Sequence, residues 1–123
     1  MSLTNKVRKI VATELSKIQG YTISSNVSTT DQPNHVTYYL NEIGIYMNRT
    51  DYSLTISIFG NSIEDIEEKS DLIKKLFDFN QINSDDVGTT FYFENRNNID
   101  DVKERLYGRL LRFQVVAYER SIK

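Results

Sequence analysis

The sequence contains no cysteine and only one histidine, His35, and both scarcities restrict the chemistry that the chain can carry out. Without cysteine there is no disulfide framework, no thiolate metal site and no Cys–His catalytic pair. One histidine cannot build a multi-histidine metal site. A Ser–His–Asp arrangement would have to use His35, and no G-x-S-x-G motif accompanies it. His35 is therefore predicted to be a surface or hydrogen-bonding residue.

Proline, glycine and long apolar runs are also scarce. One proline and five glycines among 123 residues argue against a long disordered tail. No apolar run approaches the roughly 20 residues that a membrane-spanning helix needs. The formal charge of −2 provides no overall attraction to nucleic acid or to an anionic membrane. We therefore expect one soluble domain over residues 1–123, without an export signal.

Paired carboxylates are frequent, but their positions have ordinary explanations. The pairs are Glu64/Asp65, Glu67/Glu68, Asp85/Asp86 and Asp100/Asp101. The first two pairs fall early in a predicted helix, where the helix dipole favours acids, and the last two fall in turn-like stretches. The stretch NSDDVGTTFYFE lacks the alternating oxygen ligands of a calcium loop, and no phosphate-binding glycine motif occurs. The sequence predicts no metal, no cofactor and no catalytic residue, and hence no enzyme.

The best-patterned stretch runs from Asp51 to Phe79 and combines a strand, a sharp corner at Gly60 and an amphipathic helix. Its apolar strand residues are Tyr52, Leu54, Ile56 and Ile58, and they alternate with Ser53, Thr55 and Ser57. After the corner, Asn61 or Ser62 can cap a helix whose apolar residues recur near a 3.6-residue period. Acids come early in this helix and bases come late, which is the order that the helix dipole favours.

The remaining elements follow from the same kind of pattern. They are a helix at 3–19, a short strand at 21–23, a strand at 36–47 that forms a hairpin with 51–59, a strand at 89–95 and a final strand at 106–120. Asn41, Glu42 and Gly44 indicate a bulge or bend in the second strand. The polar stretches are 24–34, 79–88 and 96–104, with one helical turn expected at 101–106. The sequence predicts an α+β fold with a mixed, largely antiparallel sheet of about four to five strands and two helices packed on one face.

The predicted sheet has one apolar face and one mixed face. The candidate exposed sheet face contains Ser53, Thr55, Ser57, Arg112, Gln114 and Tyr118. Contact with water alone would explain such a face. However, apolar residues also lie on or near it, namely Phe59, Leu110, Val116 and the Tyr38/Tyr39 pair. Because tyrosine-rich, partly apolar surfaces are typical of interfaces, we expect the chain to form oligomers.

The two predicted helices differ in charge. The first carries four bases against one acid, and residues 62–77 carry five acids against three bases. A nucleic-acid surface on the first helix is disfavoured because aromatic residues are not interleaved with the bases. Pairing of the two helices, within one chain or between copies, explains the charges better. The candidate inter-subunit contacts are Lys6, Arg8, Lys9, Glu64, Glu67, Glu68 and Asp71.

The chain resembles the tail terminator, or tail completion, proteins of long-tailed phages and related prophages. The resemblance lies in the basic first helix and in the stretches DYSLTISIFGNSIEDIEEKSDLIKKLF, FYFEN and LLRFQVVAYER. In these stretches a strand begins at Asp51 and ends at the aromatic–glycine corner Phe59–Gly60. A helix at 62–77 and a closing strand at 112–120 follow. The resemblance covers most of the chain.

The resemblance implies a single tail-terminator-like domain that forms a ring with copies of itself, usually six, on the finished end of the tail tube. Such a ring stops polymerisation of the tube protein and presents a docking surface to the head–tail connector. DNA passes through the lumen without specific binding, which suits a weakly acidic chain. The implied location is the tail end or neck of the virion, after assembly in the host cytoplasm and without a membrane. Ring closure requires two different complementary patches on each protomer.

Two other functions agree with the same size and fold class. One is another neck component, such as a head-closure or minor capsid protein. The other is a small-ligand-binding regulatory α+β module, which would require a pocket with convergent polar groups. The docking loops of tail terminators vary, so the resemblance assigns no role to 24–34 or 96–105.

Overall fold

The structure is a computed structural model that describes residues 2–25, 34–84, 86–101 and 103–119. Its elements are α1 (Leu3–Leu15), β1 (Thr22–Ser25), β2 (His35–Ile45), β3 (Thr50–Gly60), α2 (Ile63–Phe77), β4 (Gln81–Asn83), β5 (Val87–Asn98) and β6 (Tyr107–Glu119). The α+β class is confirmed. Most of the loop predicted at 24–34 lies outside the described residues. None of the described helices is long and apolar enough to cross a membrane.

The six strands form one sheet in the order β1-β2-β3-β6-β5-β4. β1 is parallel to β2, and every other neighbouring pair is antiparallel. The mixed, largely antiparallel sheet is therefore confirmed, with six strands where four to five were predicted. The additional strand is β4, whose three residues pair with β5 inside the stretch predicted to be a turn. Three polar-rich residues are too few for an alternating pattern to reveal a strand.

The ends of several elements differ from the prediction. α1 ends at Leu15, and a 3₁₀-type turn follows, in which Ile18 N donates a hydrogen bond to Leu15 O at 3.0 Å. Gly20 follows with a φ of 84°, a conformation that glycine adopts without strain. The predicted bulge in β2 is present between Glu42 and Gly44.

The helical turn predicted at 101–106 is wrong. β5 continues to Asn98, and Asp101 and Leu106 then form a bridge that closes the β5–β6 hairpin. Their backbone groups exchange two hydrogen bonds of 2.7 and 2.9 Å. The polar sequence of 96–104 shows no alternation because both faces of this end of β5 are exposed or half-exposed. Its strand conformation comes from backbone pairing with β6.

Both helices pack on the same face of the sheet, as predicted. The buried helix residues are Val7, Ile10, Val11 and Leu15 in α1 and Ile66, Ile73 and Phe77 in α2. The buried sheet residues include Tyr52, Leu54, Ile56, Ile58, Leu111, Phe113, Val115 and Ala117. They form one core cluster, in which the Phe77 ring lies 4.9 Å from Phe91 and 5.7 Å from Phe113. No helix in the described part of the chain covers the opposite face of the sheet.

The corner between β3 and α2 is fixed by two small residues. A Cβ atom on Gly60 would lie 2.9 Å from Asn34 Oδ1 and 3.0 Å from Ile66 Cδ1, so both side chains would have to shift to admit a larger residue. Ser62 caps α2, and its hydroxyl oxygen accepts a hydrogen bond from Asp65 N at 3.3 Å. The corner thereby sets where the charged surface of α2 lies relative to the sheet.

Candidate assembly surfaces

The face of the sheet opposite the helices, called here the open sheet face, carries the six residues predicted for it. In the β3–β6 register Thr55 pairs with Arg112 and Ser53 pairs with Gln114. Arg112 is exposed, whereas the other five are half-buried among their neighbours. Residues Ser57 and Tyr118 lie on the same face, at opposite ends of these two strands. The structure therefore brings all six together on one face of the sheet, which no other described element covers.

Tyrosines extend the open sheet face toward both edges of the sheet. Tyr39 of β2 pairs with Thr55, and Tyr92 of β5 pairs with Gln114, and both tyrosine side chains are exposed. Tyr38, which the sequence placed with Tyr39, is buried on the helix-covered face instead. Successive strand residues point to opposite faces, so only one of the two adjacent tyrosines can lie on the open sheet face.

The three basic residues predicted as contacts do not form one patch on α1. Lys6 Nζ donates a hydrogen bond to Asp86 Oδ2 at 2.6 Å. This hydrogen bond raises the pKa of Lys6 and lowers the pKa of Asp86 from its ordinary value. Arg8 lies roughly 200° around the helix from Lys6 and donates to Asn5 Oδ1 at 3.0 Å. Lys9 is exposed and forms no ion pair among the described residues.

The four acidic residues predicted as contacts divide into two kinds. Glu67 accepts from Arg109 Nε at 2.5 Å, and Asp71 accepts from Arg96 Nη1 at 2.5 Å. These two acids attach α2 to the strands beneath it. Glu64 and Glu68 are exposed, and within the described part of the chain they form no ion pair. Of the seven predicted contact residues, therefore, Lys9, Glu64 and Glu68 are both exposed and without an ion pair there.

Sequence reasoning missed a buried ionic cluster centred on Arg109. Its side chain is 3% exposed and lies on the helix-covered face of β6. Nη1 donates to Asp100 Oδ1 at 2.7 Å and to the Gly108 carbonyl at 2.7 Å, while Glu67 accepts from the other side of the guanidinium. The signal in the sequence was Arg109 itself, a basic residue at a position where the alternating pattern of β6 places apolar residues. The cluster joins α2, β6 and the β5–β6 turn.

A cleft of about 510 Å³, called here the α1–β4 cleft, lies between the first helix and the β4 end of the sheet. Lys6, Lys9 and Ile10 line the helix side, and Ile82 and Asp86 line the other. Among the charged lining residues, Lys6 is paired with Asp86 and Glu14 is paired with Lys17. No reactive combination is assembled here. Throughout the described residues, no group of three or more histidine or carboxylate side chains is placed to hold a metal ion.

The end of β2 and the first residues of the turn into β3, called here the β2–β3 tip (residues 43–47), form a further surface that the sequence did not indicate. Its sequence IGIYM reads as the end of a strand. In the structure its large apolar side chains are exposed.

His35, at the other end of β2, stacks on Phe59 with a centroid distance of 5.1 Å.

Comparisons with known proteins identify the fold. No family model matches the chain, and no curated protein matches it. One similar solved structure, titled only with a sequence identifier, has a TM-score of 0.66 at 8% identity over 100% of this chain and 99% of its own. Another is a chain in the structure titled "Virion of native gene transfer agent (GTA) particle", with a TM-score of 0.60 at 8% identity over 95% of this chain and 92% of its own. At this identity the likeness shows the fold alone: an α+β domain that also occurs in a virion particle.

Proposed function

We propose that this chain is a structural virion protein, and specifically a tail terminator that forms a ring, of six copies in our proposal, on the end of a phage tail tube. The observation that carries the proposal is the fold, which the chain shares over almost its whole length with a chain of the gene transfer agent particle. The sequence resemblance to tail terminators supports the same role. In this role the ring stops tube polymerisation and provides the surface on which the head docks.

The distribution of charges supports assembly over catalysis. The acids and bases that contact each other across elements hold the domain together, as Lys6–Asp86, Asp71–Arg96 and the Arg109 cluster do. What remains outside is a set of different surfaces: the open sheet face, the β2–β3 tip, the α1–β4 cleft and the acids on α2. Different surfaces on one protomer are what a closed ring with additional axial partners requires.

The partners follow from the role. The tube protein would occupy one end of the ring and the head–tail connector the other. DNA would pass through the lumen, and a chain with a formal charge of −2 would release it without strong retention. The protein would be located at the tail end or neck of the virion.

Deletion of the gene for this chain from the phage or prophage genome that carries it tests the proposal. Loss of a tail terminator gives overlong tails without heads in electron micrographs, because nothing stops the tube. Normal-length tails with stubby necks or leaking heads would instead identify a head-closure component. Particles of unchanged form would exclude both roles. Complementation with the wild-type gene is the control.

A further inference from the structure

The β2–β3 tip exposes four large apolar side chains in one short stretch. Ile43 is 56%, Ile45 71%, Tyr46 59% and Met47 98% exposed. Single exposed apolar residues are common on proteins, but a contiguous group of them marks an interaction surface. The core does not use these side chains, and they lie at the end of a hairpin that extends beyond it.

Contacts within the hairpin stabilise the conformation of the tip. Tyr46 N donates to Arg49 O at 2.7 Å, and the Arg49 side chain donates twice to the Asp51 carboxylate, at 2.8 and 3.0 Å. The Arg49 guanidinium carbon also lies 5.2 Å from the centre of the Tyr46 ring. Gly44 makes room for that ring, since a Cβ there would come within 3.2 Å of it. A preformed apolar surface loses little conformational entropy on binding.

The tip and the α1–β4 cleft lie at opposite ends of one row of paired residues. From one edge of the sheet to the other, the row contains Ile45, Thr50, Ala117, Thr89 and Ile82. Ala117 is buried under the helices, so this row points to the helix-covered face. Ile45 therefore projects from one edge at the same level, and on the same side, as Ile82 at the other. Ile82 lines the cleft.

Within the described residues, both edges of the sheet are open at this level. β1 pairs only with the His35–Tyr38 part of β2, so 39–45 has no strand neighbour on that side among the described residues. β4 is the last strand at the other edge. Open strand edges are sites where another chain can be placed alongside. Two copies side by side in the same orientation would bring the β2 edge of one beside the β4 edge of the other.

The residual charges of the two surfaces are opposite. In the cleft, Lys6 pairs with Asp86, and Glu14 pairs with Lys17, so Lys9 is left without an ion pair within the described part of the chain. Next to the tip, Glu42 is exposed and forms no ion pair there. Glu42 pairs with the core residue Tyr52, so it lies on the same side of the sheet as Ile45 and the cleft.

We propose that the β2–β3 tip of one copy inserts into the α1–β4 cleft of the next copy, with Glu42 facing Lys9. The two surfaces lie at opposite edges of one sheet and differ from each other, so the contact repeats head to tail and does not close as a two-fold dimer. The inference rests on the proposed function, because it names the copy-to-copy contact of the proposed ring. The occupant of the cleft is a second copy of this chain.

Disulfide trapping tests the contact even when association is weak, because the chain contains no cysteine of its own. Full-length M47C, at the tip, is mixed with a tagged T13C variant, whose position lines the cleft, and oxidised with copper–phenanthroline in air. The control partner is K75C, at an exposed position on α2 that does not line the cleft. We expect the M47C–T13C heterodimer to form at least about tenfold faster than M47C–K75C, which corresponds to a preference of about 1.4 kcal/mol. Equal rates for the two partners would overturn the proposal.

A charge exchange provides the second readout. Glu42→Lys on the M47C chain, or Lys9→Glu on the T13C chain, is expected to slow trapping about two- to fivefold, the range for one exposed ion pair. Combining both changes should restore the rate, whereas Lys103→Glu on the far β5–β6 turn should leave it unchanged. Failure of the double change to restore the rate would contradict the Glu42–Lys9 contact.

The two proposals fail separately. Preferential trapping together with a gene deletion that has no tail phenotype would support the proposed contact and contradict the terminator function. Overlong tails in the deletion with no preferential trapping would retain the function and remove this contact.

Discussion

At the scale of single residues, several ion pairs of this protein join different elements, as Lys6–Asp86, Arg96–Asp71 and the Arg109 cluster do. The Arg109 guanidinium is almost fully buried, and its two carboxylate partners come from α2 and from the turn after β5. Removal of one partner from a buried charge costs more than the pair itself contributes, because the remaining charge loses both its counter-charge and its water. Glu67 and Glu64 lie one turn apart on α2, but only Glu67 compensates the buried Arg109 charge, so we expect only Glu67 to contribute to stability.

Glu67→Gln is expected to destabilise the fold, whereas Glu64→Gln is not. Asp100 still compensates part of the Arg109 charge, so we expect a loss of about 1–3 kcal/mol in the free energy of unfolding for Glu67→Gln. Glu64 is exposed and unpaired among the described residues, so its change should stay within about 0.5 kcal/mol. Urea titrations followed by circular dichroism measure both. Equal stability of the two variants would contradict the assigned role of Glu67.

The Lys6–Asp86 pair makes a pH-dependent contribution whose sign follows from the lowered pKa of Asp86. A carboxyl group with a lower pKa in the folded state stabilises the fold above its unfolded pKa, and this contribution is lost as the pH falls through the folded pKa. Lys6→Met should therefore raise the pKa of Asp86 toward its ordinary value, as followed by NMR titration of the side-chain carboxyl carbon. Lys9→Met is the matched control from the same cleft and should leave the Asp86 pKa unchanged.

At the scale of elements, the periodic sequence pattern predicted those helices and strands whose apolar residues pack in the core. β3, α2 and β6 were recognisable because each presents alternating or helical apolar positions to one core. β4 and the end of β5 were not recognisable from the sequence, because they have no regular apolar face. They are strands because their backbones pair with a neighbouring strand. The seven candidate contacts were chosen by charge sign alone. Sequence cannot show that Lys6 contacts Asp86, eighty residues away. It also cannot show that the four residues of β1 pair only with the His35–Tyr38 part of β2 among the described residues.

The start of α2 supplies a direct test at this scale. Ser62→Ala removes the hydroxyl oxygen that accepts from Asp65 N, leaving a backbone donor of the first helical turn without that partner. We expect this change to lower the free energy of unfolding by about 1 kcal/mol. Asn61→Ala, at the neighbouring exposed position, is the control and should change stability by less than about 0.5 kcal/mol. A larger loss for Asn61→Ala than for Ser62→Ala would show that the cap is at the wrong residue.

At the scale of the whole molecule, the two contact surfaces that we propose at opposite edges of one sheet would determine the kind of assembly. A head-to-tail contact either closes into a ring or continues as a filament, and the rotation between successive copies decides which. The strands of a sheet rotate relative to one another, so a copy added at one edge is turned as well as shifted. Such a rotation is compatible with a closed ring and disfavours a straight filament.

We therefore expect the mass of the purified chain, measured by analytical ultracentrifugation, to rise with concentration and then reach a plateau at a fixed multiple of 14.3 kDa, six in our proposal. Met47→Ser should shift the transition to higher concentration without lowering the thermal midpoint, because Met47 is almost fully exposed in the single chain. Phe79→Ser removes another exposed apolar residue, 74% exposed and away from the tip, and is the control. A mass that grows without limit would indicate a filament, and a Met47→Ser variant that assembles like the wild type would show that the tip does not join the copies.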